Sequence, residues 1–316
     1  MIKSIFRFFL AVVSGVNPRS AWYFRNIHEG RRYDLLRQLE ITKSEIVLRT
    51  TNNTISIKAA RAYSQYLTHL HELLNYKGFK EENGKLTFST NIDGNSLKFQ
   101  FTNYGNIFAF KEIFEDTIYQ IEFPLSAPTV VIDVGMNIGL ASLYFASRPD
   151  VVKVYGFELI PSTFDLAKKN IASNSWAAGK CEPYNIGWSN ADSEVLVQDN
   201  YEGSVTVSLG ELVNRDFQNG RGVSVKNASN VVKSIFQKHS HERFILKLDC
   251  EGAEYDIVES LAGSELLNIF ESIIIEWHYR GAQQLTNYLL MTGFRIASFT
   301  TKESGGSTGL IYAFKQ

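Results

Sequence analysis

The chain has 316 residues, 44% hydrophobic and 21% charged, the profile of an ordinary globular protein that can bury a sizeable core in one large α/β domain, with or without a smaller appendage. Its 32 basic and 33 acidic residues leave a net charge of −1 with no basic stripe, which argues against nucleic acid as a partner. Two cysteines, Cys181 and Cys250, make neither a disulfide framework nor a zinc site, and no metal cluster is expected: His69 and His71, like His239 and His241, stand two apart and off a shared helix face.

The N-terminal stretch MIKSIFRFFLAVVSGV is apolar but interrupted by Arg7, and it falls short of the roughly 18 residues a spanning helix needs. It reads as a helix docked on the protein, or lying on a membrane surface, in a cytoplasmic protein. Residues 18–40 and 57–77 carry helical spacing, the second with Tyr63, Tyr66, Leu67, Leu70 and Leu74 on one side. KLTFST and NSLKFQF, joined through Asp93 and Gly94, read as strands of a hairpin or small meander. The stretch FPLSAP at 123–128, with Pro124 and Pro128, interrupts regular structure. It divides an N-terminal α+β extension, 1–123, from a ligand-binding domain, 124–316.

Beyond it, strands are expected at 129–134, 152–158, 182–187, 244–249, 272–277, 294–299 and 309–314. Helices are expected at 138–147, 162–173, 254–262 and 281–292. Strands that are apolar throughout, such as TVVIDV and SIIIEW, suit a parallel sheet covered on both faces, and the alternation predicts a doubly wound α/β sheet. The last two strands are joined by a loop too short for a crossover helix, so they should pair antiparallel at one edge. Residues 188–243 exceed a normal connection and read as an insertion with its own strands and a helix near 229–238, placed to shape a substrate pocket.

Open α/β sheets bind ligands at the carboxyl ends of their strands, where strand order reverses. VIDVGMNIG puts Asp133, Gly135, Met136, Asn137 and Gly139 at such an end. A phosphate-binding P-loop needs Gly-Lys-Ser/Thr, which is missing, and the dinucleotide pattern G-x-G-x-x-G would need glycines where Asn137 and Leu140 stand. The next strand, VVKVYGFELIP, ends in Glu158 followed by Leu159, and an acid there can accept both hydroxyls of a ribose. A nucleoside without phosphate fits, and S-adenosylmethionine (SAM) has that chemistry, with a cationic sulfonium that tolerates Asp133 nearby.

FILKLDCEGAEYDIVESL carries a second acidic cluster. Lys247, Asp249 and Glu251 alternate along an extended chain, and a lysine in a covered strand needs a partner, with Asp249 or Glu251 the nearest candidates. One strand later SIIIEWHYR places Glu276 and His278 on one face at a strand tip. Plainer roles remain open for each: Glu251 and Glu254 as acids favouring a helix N-terminus, Glu276 as the neutraliser of Lys247, His278 as a structural histidine.

DVGMNIG, FELIPSTFDLAKKNI and above all LKLDCEGAEYDIVESL resemble the FkbM family of SAM-dependent methyltransferases, over about residues 108–300. The resemblance implies a class I methyltransferase fold, a Rossmann-like seven-stranded sheet with the last strand reversed, and O-methylation of a sugar or polyketide-type hydroxyl on a small-molecule or glycan acceptor. It implies that Asp133, Gly135, Asn137, Gly139 and Glu158 line the SAM site, with Asp249 near the reactive end and Tyr119 closing over the cofactor. Leu159 and Cys250 depart from the family's commonest residues. An aliphatic hydroxyl must lose its proton, so Asp249, Glu251, Glu276 or His278 is expected to supply a base. The alternatives are a non-catalytic nucleoside-binding scaffold on the same fold and a nicotinamide-dependent oxidoreductase, the latter opposed by Asn137 and Leu140.

Overall fold

The computed structural model describes residues 11, 15–16, 18–19, 33–64, 66–82, 84–120, 127–197, 220–239, 241–301 and 308–315. Most of the apolar N-terminal stretch, much of the helix expected over 18–40, Pro124, the middle of the insertion and the loop before the last strand lie outside these residues. The chain divides into two compact units, Met1–Phe108 and Ala109–Gln316.

In the first unit a single turn, α1 (Tyr33–Leu36), gives way to β1 (Leu39–Ile41). Leu39 and Ile41 are buried and Glu40 is exposed, a period of two that ends the helical spacing expected to run to residue 40. β1 pairs with β2 (Glu45–Leu48), and β2 with β3 (Thr54–Ser56), both antiparallel. The helix expected over 57–77 is two helices, α2 (Ile57–Tyr63) and α3 (Leu67–Asn75). Ser64 breaks it: its backbone is extended, its hydroxyl accepts from the Tyr66 N–H at 3.1 Å, and it shares a 2.8 Å hydrogen bond with His69 Nδ1. β4 (Phe79–Glu82), β5 (Lys85–Ile92) and β6 (Asn95–Phe101) form an antiparallel meander, with Asp93 and Gly94 both at positive φ in its second turn as an Asp-Gly hairpin requires. α4 (Tyr104–Phe110) follows and continues into a π-helical turn, Lys111–Glu115.

The second unit is built on a seven-stranded sheet. In chain order come β7 (Thr129–Val134), α5 (Leu140–Ser147), β8 (Val151–Phe157), α6 (Pro161–Ala172) and β9 (Cys181–Tyr184). The insertion supplies β10 (Gly187–Ser189), β11 (Ser193–Val197), β12 (Arg221–Asn227) and α7 (Ala228–Phe236). The main sheet resumes with β13 (Arg243–Leu248), α8 (Glu254–Gly263), β14 (Phe270–His278), α9 (Gln283–Met291), β15 (Arg295–Thr301) and β16 (Thr308–Phe314). Strand order is β15-β16-β14-β13-β7-β8-β9. Every neighbouring pair is parallel except those made by β16, which runs antiparallel to both β14 and β15. This is the Rossmann-like methyltransferase fold, mostly parallel with its last strand reversed.

All six residues of β7 are buried, as a central strand covered on both faces must be. A fully buried Val or Ile contributes about 1.5–3 kcal/mol, so β7 is a rigid base for the loop that leaves it. The sequence-predicted strand 182–187 splits: Cys181–Tyr184 joins the main sheet, and Gly187–Ser189 joins a separate sheet of order β10-β12-β11. Asn185 sits at the split, its amide donating to the carbonyls of Glu158 at 2.8 Å and Leu159 at 3.0 Å. Burial pushes the Cys181 thiol up to about 12 and Cys250 well above its ordinary value, so both are poor nucleophiles. Among the described residues, no helix is long and apolar enough to cross a membrane.

Candidate active site at the strand tips

The chain runs from β7 through β8 to β9 on one side and returns through β13 to β14 on the other, so strand order reverses between β7 and β13. Two groups of side chains gather at the carboxyl ends there.

The first surrounds the glycine loop. The N–H groups of Gly135 and Met136 both donate to the carbonyl of Phe157, at 3.0 and 2.9 Å, which ties the loop to the tip of β8. Gly135 has φ +79°, and a Cβ there would overlap the carbonyl of Asp249, so no other residue fits without moving β13's exit. Met136 lies against Gly156, whose missing side chain leaves room for the thioether. Asn137, at φ +51°, accepts from the Ile138 N–H with its own side chain, and Gly139, at φ +89°, caps α5. The Glu158 carboxylate is buried and accepts from the Asn137 N–H at 2.9 Å and the Ile160 N–H at 2.8 Å. Burial pushes its acid up to about 7, against the pull of those two N–H groups.

Beneath the loop lies a buried ion pair. Strand register sets Lys247 directly opposite Asp133, and the ammonium reaches its carboxylate at 3.0 Å. Asp249 or Glu251 was the expected partner of Lys247; Asp133 takes first place because it shares the register, and Asp249 stands second at 3.6 Å. The ammonium also donates to the Gly135 carbonyl at 2.7 Å, while the second oxygen of Asp133 accepts from Ser142 at 2.6 Å. Burial works against the charged lysine, but the charges of Asp133 and Asp249 outweigh it and raise its pKa. Tyr119 donates to Asp249 at 3.1 Å, stacks on Phe145 and sets its ring 5.6 Å from the Lys247 ammonium.

The second group lies between β13, α8 and β14. Glu254 is fully buried, and its carboxylate accepts from the N–H groups of Cys250 and Gly252, each at 2.8 Å. One of its oxygens also meets His278 Nδ1 at 3.1 Å. His278 Nε2 faces the Glu251 carboxylate at 3.8 Å, and Tyr279 donates to that same oxygen at 3.1 Å. Burial opposes a charged His278, yet its hydrogen bond to Glu254 and the charges of Glu254, Asp249 and Glu251 raise it to about 9. Burial raises Glu251 to about 7, with His278 as the largest opposing influence. Glu276 precedes His278 by two positions on β14, half-buried, with its charge felt at Tyr119.

The profile of the Methyltransferase FkbM domain matches residues 133–296, more than half of the chain. The chain belongs to the FkbM methyltransferase family. It is 26% identical over 235 residues to Methyltransferase sdnD of Sordaria araneosa, a match covering 66% of this chain and 90% of that protein. It is also 26% identical over 230 residues to the AMB antimetabolite synthetase AmbE of Pseudomonas aeruginosa, covering 60% of this chain and 11% of that much longer protein. A crystal structure of Methyltransferase FkbM from Methylobacillus flagellatus aligns with 59% of this chain and 43% of its own, at 15% identity and a TM-score of 0.40. The protein is thus a methyltransferase, and the strand tips are where its chemistry is sought.

Within this FkbM methyltransferase the sequence-predicted residues do not all play alike. Gly135, Met136, Asn137, Gly139 and Glu158 converge on one loop. Asp133 turns beneath it into the Lys247 pair, and Leu159 packs against the apolar side of the β10–β12 sheet, beside Val225 and Gly187. Both therefore shape the scaffold. His278 is held as an imidazolium donor rather than a neutral base. Asn185, Ser142 and Tyr279 were missed, and Glu254 was read only as an acid favouring a helix N-terminus. Glu254 had a readable signal, an acid two residues past a glycine that can reach back to the preceding N–H groups; Tyr279 had none.

Proposed function

We propose that this methyltransferase uses S-adenosylmethionine and methylates a hydroxyl of a sugar, glycan or related natural-product acceptor, with Glu251 as the base. The observation that carries the reading is Glu158: a buried carboxylate fixed by two main-chain N–H groups at a strand tip, beside a glycine turn with no room for a side chain. A carboxylate so held suits a ribose diol, each hydrogen bond to it contributing about 1.5–3 kcal/mol. Lys247 beneath the loop is committed to Asp133 and the Gly135 carbonyl and is not free for a phosphate, and Asn137 and Leu140 stand where a dinucleotide turn needs glycines, which favours a phosphate-free cofactor. Glu158, Asp249 and Glu251 are acids at the strand tips compatible with a cation, with Asp133 beneath them neutralised by Lys247. SAM bound there would supply a methyl carbon activated by a sulfonium.

The chain's own part is to orient and to take a proton. Alignment of acceptor and methyl donor removes much of the barrier to such a displacement. Glu251, raised to about 7, is ionised in good part at neutral pH and still basic enough to accept a hydroxyl proton. His278 and Tyr279 hold it in place. Asp249 is held in place by Tyr119 and Lys247. The natural-product acceptor class draws on the similarity to an antimetabolite synthetase.

Incubation with methyl-labelled SAM and a panel of glycans and hydroxylated lipids or polyketides tests the proposal. The expected result is S-adenosylhomocysteine release with a mass gain of one methyl on an acceptor oxygen. Methylation at nitrogen or carbon, or no binding of SAM, refutes it.

A further inference from the structure

Tyr279 follows His278, the last residue of β14. Its residue is 58% exposed, yet its side chain is placed with care. The ring lies over Gly252, where an added Cβ would stand 3.3 Å away, and the hydroxyl donates to Glu251 at 3.1 Å. Both partners in that bond have left-handed backbones, Tyr279 at φ +65° and Glu251 at φ +54°. For a bulky aromatic residue this is a costly conformation, and it persists only where surrounding contacts fix it. An exposed phenol can bond to water without such strain, so the arrangement spends backbone strain to bring one O–H group to one carboxylate.

That carboxylate is the proposed base, and a phenol O–H is the same kind of donor as an acceptor's alcohol. We infer that the Tyr279 hydroxyl occupies the acceptor hydroxyl's place at Glu251, and that the acceptor replaces it one hydrogen bond for one. The inference rests on the reading of Glu251 as base. It makes Tyr279 a positioning residue that keeps Glu251 aimed at the cleft mouth before the acceptor arrives. It also defines the ligand class. A neutral hydroxyl compound can replace the phenol, whereas a carboxylate brings no proton to donate and meets Asp249, Glu251 and Glu254. The groups facing Glu251 are His278 from β14, Asp249 from the tip of β13, Glu254 from α8 and Tyr279 itself.

The test uses the full chain with carbon-13 labels on glutamate carboxyls and tyrosine rings, read by NMR, with Glu251→Gln assigning the Glu251 signal. In Tyr279→Phe, which keeps the ring, loss of the donated hydrogen bond should move the Glu251 titration upward by roughly half a pH unit. Glycerol, as a neutral hydroxyl probe, should shift the Tyr279 ring signal in the unmodified protein and bind about fivefold more tightly to Tyr279→Phe, the worth of one hydrogen bond no longer displaced. Acetate should do neither. An unchanged Glu251 titration in Tyr279→Phe overturns the bond, and a Tyr279 signal that molar glycerol leaves in place overturns the exchange. Full methyl transfer by Glu251→Gln, with both NMR responses intact, would overturn the base assignment while leaving the Tyr279–Glu251 contact standing.

Discussion

At the tip of β8 the Glu158 carboxylate is held by main-chain N–H groups, those of Asn137 and Ile160, whereas past the tip of β13 the Glu251 carboxylate is held by side chains, those of His278 and Tyr279. Main-chain donors cannot titrate or rotate away, so the first group is a fixed cradle. Side-chain donors can do both, so although both carboxylates are raised to about 7, only in the second group can the partners that hold the carboxylate change with pH as well. On the proposed reading the division suits a methyltransferase, since the cofactor is the same at every turnover while the acceptor is engaged, deprotonated and released. Lys247 joins the halves, touching Asp133 and the Gly135 carbonyl on one side and Asp249 on the other.

Removing the joint should have the largest effect. Lys247→Met leaves Asp133 buried and unpaired, and denaturant unfolding should register a loss of about 3–5 kcal/mol. If stability is unchanged, the halves are not coupled through that ammonium. Next comes Gly135→Ala, expected to cost about 3 kcal/mol from the overlap with the Asp249 carbonyl and the positive φ. Calorimetry should show its SAM binding abolished, because the cradle cannot keep its shape.

Glu158→Gln sharpens the contrast further. It should weaken SAM about 10- to 100-fold, by the same 1.5–3 kcal/mol, and lower the thermal midpoint modestly, because one of the two main-chain N–H groups loses its acceptor. The smallest and most selective effects belong to the side-chain-held group. Methyl transfer should rise with pH through about 7 as Glu251 ionises. In Glu254→Gln the His278 titration, followed by NMR, should fall from about 9, because its largest favourable partner is lost. His278 also gives stability a pH signature: its folded pKa is raised above the ordinary 6.5, so its contribution is complete below that value and lost as pH rises through about 9. Thermal melts at pH 7 and 10 should differ more in the unmodified protein than in His278→Gln.

Much of the cradle is legible in the sequence because its determinants are local. An apolar run ending in an acid and two glycines four apart dictates a buried strand and a turn with positive φ, and Gly135 and Gly139 meet that need directly. The strand–helix alternation likewise predicts the main sheet. What was hidden depends on register and on contacts distant in sequence. Lys247 finds Asp133 because β13 and β7 align those two residues, which no spacing within FILKLDCEG reveals. Glu254 reads as an acid at a helix N-terminus, yet its fully buried carboxylate binds the turn before it and sets the charge on a histidine from the next strand. An ordinary pKa near 6.5 made His278 look like a base, and its neighbours make it a cation. In the first unit, Ser64 broke a helix whose apolar spacing runs on past it, through a hydrogen bond to His69 that side-chain periodicity does not encode.

The most direct test of the cradle is a calorimetric titration of SAM at pH values from 6 to 8, with the unmodified protein and with Glu158→Gln. Glu158 must lose a proton to serve the ribose as an anion, so affinity should strengthen about tenfold per pH unit below about 7 and level off above it, and Glu158→Gln should bind weakly at every pH. Tight SAM binding that depends neither on pH nor on Glu158 would contradict the account.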